Sequence, residues 1–129
     1  MGRPVVHFEI IGTDPQRLRS YYAELFDWQF DVGDAAAEAV SAPGTYGFIH
    51  PDATLDGAAG IPGGVGGGAG YPHRTLFYVG VPDVAEALRH AERLGGTPVS
   101  GPHHNPDGTL VVGYFTDPEG HLVGLAAAR

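Results

Sequence analysis

His7-Phe8-Glu9-Ile10-Ile11-Gly12-Thr13-Asp14 is answered sixty-nine residues later by Leu76-Phe77-Tyr78-Val79-Gly80-Val81-Pro82-Asp83. Each stretch is a β-branched and aromatic run that reaches an aspartate suited to opening a helix, and self-similarity at a fixed offset is the mark of an internal structural repeat. Side chains alternate along a strand, so His7 and Glu9 share one face and Phe8 and Ile10 the other. Thr13-Asp14-Pro15 then supplies a cap and a proline fit for the first helical turn. Leu18, Tyr22 and Leu25 follow at helical spacing, a stripe expected to pack on the Phe8 and Ile10 face. In the second copy Asp83 to Glu86 reads as a capping box, Val84, Ala87, Leu88, Ala91 and Leu94 make the stripe, and Gly95-Gly96 stops the helix.

Further along each copy, breaker residues separate short strand-like runs. In the first these are residues 28–32, 45–50 and a short fourth at 58–61; in the second they are 97–100, 110–115 and 122–126, after an opening strand at 75–81. The stretch Gly57 to Gly70 holds eight glycines in fourteen residues and reads as a flexible joint. A phosphate-binding loop would end in Gly-Lys-Ser or Gly-Lys-Thr, and the chain has no lysine. The expected organisation is one α+β domain over 1–129: module one over about 4–62, a glycine-rich linker at about 63–70, and module two over about 71–129. Each module has the order βαβββ.

A chain of 129 residues buries enough surface for a core without covalent staples. It has no cysteine, which excludes disulfides and thiolate metal sites. A formal net charge of -8, with every basic side chain an arginine or histidine, argues against nucleic acid as a partner. No apolar run is long enough to cross a bilayer, and the N-terminus lacks a basic stretch followed by an apolar one, so a cytoplasmic protein with no membrane partner is expected.

The strand and helix order, with HFEI (7–10), DPQRLRSYYAELFDW (14–28), LFYVGVPDVAEALRHAERLGG (76–96) and GYFTDPEGHLVGL (113–125), resembles the vicinal oxygen chelate superfamily of glyoxalases, bleomycin-resistance proteins and extradiol dioxygenases. The turn at Phe115 to Gly120 is the most specific element of the likeness. The resemblance implies two βαβββ modules whose mixed sheet curls into a cup with helices outside. In metal-dependent members it also implies a ligand on the first and the last strand of each module. His7 falls on the first of these positions, Leu76 on its counterpart, Gly124 on the last strand of module two, and the remaining position near Gly60. One imidazole with waters holds a divalent ion weakly, so no metal and no other cofactor is expected. A site of different composition around His7 and Glu9, completed from a loop, is the alternative.

The cup is then expected to be lined by His7 and Glu9, by Tyr78 at the position repeat-related to Glu9, and by Leu76 as apolar wall. A carboxylate beside an imidazole suits proton abstraction from a carbon acid, with Tyr78 hydrogen-bonding an oxyanion; a structural His-Glu hydrogen bond is the plainer reading. His50 lines the cup rim or simply ends its strand, Arg74 receives an anionic ligand or is solvated, and His103 lies in a loop with His104, where at most one of the two faces inward. The expected function is small-molecule binding with isomerase or lyase chemistry independent of metal. Non-catalytic sequestration, and a metal-dependent glyoxalase or dioxygenase, are the alternatives. A homodimer is expected, because four-stranded modules tend to bury their open edges against a partner.

Overall fold

A computed structural model describes residues 2–52 and 54–128 of the chain. It divides into two compact units, His7–Thr75 and a second comprising Leu76 onward together with the residues up to Val6. The class is α+β, and the same βαβββ order occurs twice.

The first unit contains β1 (Val5–Gly12, shared at its first two residues with the other unit), α1 (Pro15–Phe26), β2 (Phe30–Gly33), β3 (Tyr46–Ile49), a small hairpin of β4 (Thr54–Leu55) and β5 (Ala58–Ala59), and β6 (Gly63–Gly67). Its strands run in the order β2-β3-β6-β1, with β6 parallel to β1 and antiparallel to β3. Asp14 caps α1 by accepting from the Arg17 amide at 3.1 Å, Pro15 occupies the first turn, and Asp27 ends the helix at a left-handed φ of 58°. The hairpin turns on Asp56-Gly57, at φ 50° and 83°, the conformation that an Asp-Gly pair favours between two strands.

The joint expected at 63–70 is corrected here. Gly63–Gly67 is a fully buried strand, and it takes the fourth place in the module that the sequence suggested for 58–61, where Ala58–Ala59 instead pairs with Thr54–Leu55 in the hairpin. Glycine is ordinarily poor in strands, but here its bareness is used. A Cβ added at Gly63 would lie 2.2 Å from the Phe8 ring, and one at Gly64 2.2 Å from the Tyr46 ring. The bare strand leaves room for an aromatic ring against each of its faces.

In the second unit come β7 (Arg74–Gly80, whose first two residues belong to the other unit), α2 (Val84–Arg93), β8 (Thr97–His104), β9 (Leu110–Thr116) and β10 (Leu122–Ala128), in the sheet order β7-β10-β9-β8. Here too the first and last strands are parallel neighbours, with Gly124 beside Tyr78 as Gly64 stands beside Glu9. Asp83 caps α2 through the Glu86 amide at 3.0 Å. The Glu86 carboxylate turns to Arg89 and Arg93, which hold it below the usual carboxylate range. Val84 and Leu88 pack with Val111, Leu125 and Ala127 to form this unit's core.

The predicted helical stripes are right on their N-terminal turns and too long at the other end. Leu25, in the last turn of α1, and Leu94, just past the end of α2, are 55% and 71% exposed. Trp28 centres an aromatic cluster in the first unit, with ring centroids 5.8 Å from Phe8, 5.5 Å from Tyr22 and 5.1 Å from Phe26. No helix among the described residues is long and apolar enough to cross a membrane.

Candidate functional site

His7 and Glu9 project from one face of β1, as alternation requires, and a residue that the sequence reading passed over joins them. The hydroxyl of Tyr46, at the start of β3, donates to Glu9 Oε1 at 2.9 Å and lies 2.8 Å from His7 Nε2. Arg74 approaches the other carboxylate oxygen, with its guanidinium nitrogen 3.8 Å from Glu9 Oε2. Glu9 is 2% exposed and Tyr46 3%. The result is a connected chain, His7 to Tyr46 to Glu9 to Arg74, built within one unit. Phe48 meets His7 edge-on at 5.8 Å and Tyr46 at 5.0 Å, giving the polar chain an aromatic side wall.

The glycine strand makes this arrangement possible. Gly64 pairs directly with Glu9, and the Tyr46 ring covers Gly64 and Gly66. A side chain at either glycine would occupy the volume of the ring: a Cβ at Gly66 would meet Tyr46 at 2.6 Å and the Ser41 hydroxyl at 2.7 Å. The sequence held a usable signal for Tyr46. Gly64, Val65 and Gly66 alternate bare and filled faces, the pattern of a strand that leaves room for a flat ring.

Tyr46 has one proton and gives it to Glu9 Oε1. Its oxygen is therefore the acceptor for His7, and the imidazole carries its hydrogen on Nε2 with the lone pair on Nδ1. Burial pushes the His7 pKa down from 6.5 to about 4, so the ring is neutral across the physiological range. This depression has a sign that can be tested. The unfolded chain takes up a proton near pH 6.5 while the folded one resists until about pH 4, so the neutral imidazole contributes stability above pH 6.5 that is lost as pH falls through that window. The full loss amounts to about 3 kcal/mol by linkage. Denaturant melts of the parent and His7→Gln from pH 7 to pH 4 should diverge by this amount, the parent weakening more. Parallel curves would refute the assignment.

The other residues singled out in the sequence fall in different places. His50 lies just past β3, where it bonds to Asp31 at 3.0 Å and its amide donates to the Gln29 carbonyl. Arg74, expected to meet a ligand anion or solvent, is turned to Glu9. In the second unit Leu76 is core, and the Tyr78 hydroxyl bonds to that of Tyr114 at 2.5 Å. His103 is half-buried with its ring 6.3 Å from Tyr114. It belongs to β8, which runs through His104, so the expected loop there is corrected to strand.

A metal is the remaining question that the resemblance raises. With β6 as the last strand of module one, register moves the fourth ligand position from near Gly60 to Gly64. The four positions are then His7, Leu76, Gly64 and Gly124. Tyr46 fills the space beside Gly64, and a Cβ at Gly124 would meet the Tyr78 ring at 2.5 Å. Among the described residues no three His, Cys, Asp or Glu come together. In the first unit these positions offer one imidazole and a glycine covered by Tyr46, and in the second a leucine and a glycine covered by Tyr78, whereas a divalent ion needs several nitrogen or oxygen donors.

A family model described as the Glyoxalase/Bleomycin resistance protein/Dioxygenase superfamily matches residues 5–125. Among solved structures, methylmalonyl-CoA epimerase from Streptomyces coelicolor with 2-nitronate-propionyl-CoA is similar at a TM-score of 0.64 and 15% identity, covering 98% of this chain and 95% of that one. A hypothetical protein from Bacillus halodurans is similar at 0.63 and 12%, covering 100% and 96%. The NAD-dependent benzaldehyde dehydrogenase structure from Legionella pneumophila is similar at 0.59 and 14%, covering 95% and 98%. At these identities the likeness is one of fold. No curated protein matches the chain.

Proposed function

The chain belongs to the glyoxalase/bleomycin resistance protein/dioxygenase superfamily, and we propose that it is a small-molecule-binding member that works without a metal, moving a proton on a carbonyl-bearing substrate through His7, Tyr46 and Glu9. The observation that carries this reading is the Tyr46 hydroxyl, within hydrogen-bond distance of both His7 and Glu9.

His7 alone is a poor base, since a cation at its buried position is disfavoured. A relay removes that difficulty. As His7 Nδ1 takes a proton from carbon next to a carbonyl, the hydrogen on Nε2 passes to the Tyr46 oxygen and the Tyr46 proton passes to Glu9 Oε1. The imidazole ends neutral in its other tautomer, Tyr46 ends neutral and Glu9 holds the proton; the reverse shift, Glu9 to Tyr46 to Nε2, lets His7 Nδ1 return its proton to the substrate at the same or a neighbouring carbon. Arg74 holds the carboxylate in place between turnovers. Return at the neighbouring carbon is isomerisation; departure of a β-substituent instead is elimination. Methylmalonyl-CoA epimerases share this fold, which supports carbon-acid chemistry as a use for it.

Sequestration without turnover is the second reading, and the depth of Glu9 favours it: a carboxylate 2% exposed is also what a rigid binding wall needs. The two part on one experiment. Small ketones and 2-oxo acids incubated with the protein in deuterium oxide should exchange their α-hydrogens, followed by proton NMR, and Glu9→Gln should slow exchange about 100-fold or more while ligand affinity stays within about threefold. Ligands returned unexchanged by the parent would sink the relay in favour of sequestration. Elemental analysis of protein purified without a metal-affinity tag is expected to show far less than one ion per chain; one tightly held ion would overturn the metal-free reading.

A further inference from the structure

On the opposite face of β1 from His7 and Glu9, the Phe8 side opens a cleft of about 870 Å³ between the end of α1, the segment leading into β6 and the β4–β5 hairpin. We infer that this cleft is a second ligand site, for a small organic cation with an apolar or aromatic body.

Four features on the cleft wall agree. Trp28, Phe26 and Phe8 form one continuous aromatic surface there, with Trp28 in ring contact with both others. Such faces carry negative electrostatic potential and attract cations, most strongly at tryptophan. The carboxylates of Asp27 and Asp52 line the same cleft, while no arginine does, and the chain has no lysine. The C-terminal end of the twelve-residue α1 also opens onto it through Phe26 and Asp27, with no basic residue in the last turn to answer the negative end of the helix dipole. Finally, Phe26, Leu55 and Ile61 are each more than half exposed at this mouth, an apolar patch that would be costly to leave bare. His50, the other ionisable group on the rim, is turned to Asp31. An anion would meet two carboxylates and a helix C-terminus here.

Trp28 is the only tryptophan in the chain, so its fluorescence reports on this cleft. Titration with benzyltrimethylammonium should give a saturable change, and phenylacetate, of similar size and opposite charge, should give none. Replacing both carboxylates, Asp27→Asn with Asp52→Asn, should weaken the cation by about tenfold or more at unchanged circular dichroism. Asp52→Asn alone, which leaves the helix end untouched, should weaken it measurably. Glu9→Gln should bind the cation as the parent does. Absence of saturation, an equal response to phenylacetate, undiminished affinity in the Asn variants, or loss of binding in Glu9→Gln would each overturn the assignment.

Discussion

Tyr46→Phe is expected to reduce turnover about 100-fold or more and to destabilise the fold by about 2–3 kcal/mol. The ring stays and its packing over Gly64 and Gly66 is kept, so the loss is that of one oxygen. That oxygen donates to a carboxylate with 2% exposure and accepts from the only histidine on the same strand face. Removing it leaves Glu9 Oε1 without this donor in a place where the lost bond is poorly replaced by water. It also breaks the relay, so a proton arriving at His7 has no route to Glu9. Stability from urea melts and deuterium exchange into substrate are the two measurements. A variant that loses stability but exchanges at the parent rate would show that the network is structural and that His7 or Glu9 acts alone.

Gly64→Ala is expected to destabilise by about 1–3 kcal/mol or more through overpacking, and to take activity with it. The added methyl would sit 2.2 Å from the Tyr46 ring and 2.3 Å from its hydroxyl. A long free side chain would swing aside, but this one is anchored at its far end by Glu9 and His7. Relief therefore requires either moving β6, paired on both sides, or dislodging the hydroxyl from the relay. Gly60→Ala is the control: nothing lies within 4 Å of a Cβ there, and its backbone is not left-handed. Thermal melts should leave Gly60→Ala near the parent and drop Gly64→Ala well below it. Equal, small effects would mean that the glycine stretch is a tether rather than a floor.

The two aspartates that open α1 and α2 were legible because capping is local: an acceptor side chain reaches an amide three residues on, as Asp14 and Asp83 do. The shared face of His7 and Glu9 was legible for a similar reason, since alternation along a strand needs no knowledge of partners. Leu25 and Leu94 were misread because periodicity does not say where a helix leaves its sheet. The glycines of β6 were misread for a deeper reason. Glycine propensity describes the cost of an unsupported backbone, whereas residues 63–67 are held by β1 on one side and β3 on the other, with the rings of Phe8 and Tyr46 filling what their own side chains lack.

Chain order and alternation alone therefore establish the doubled βαβββ pattern, the helix starts and a polar pair on β1, the last two being properties of neighbours within a few residues. Which group completes that pair is decided by contact across 37 residues, between Glu9 and Tyr46. That contact exists only because β6 lies between their strands and is bare enough for a phenol ring to cross it. Space left empty by glycine becomes visible only when the strands that border it are in place.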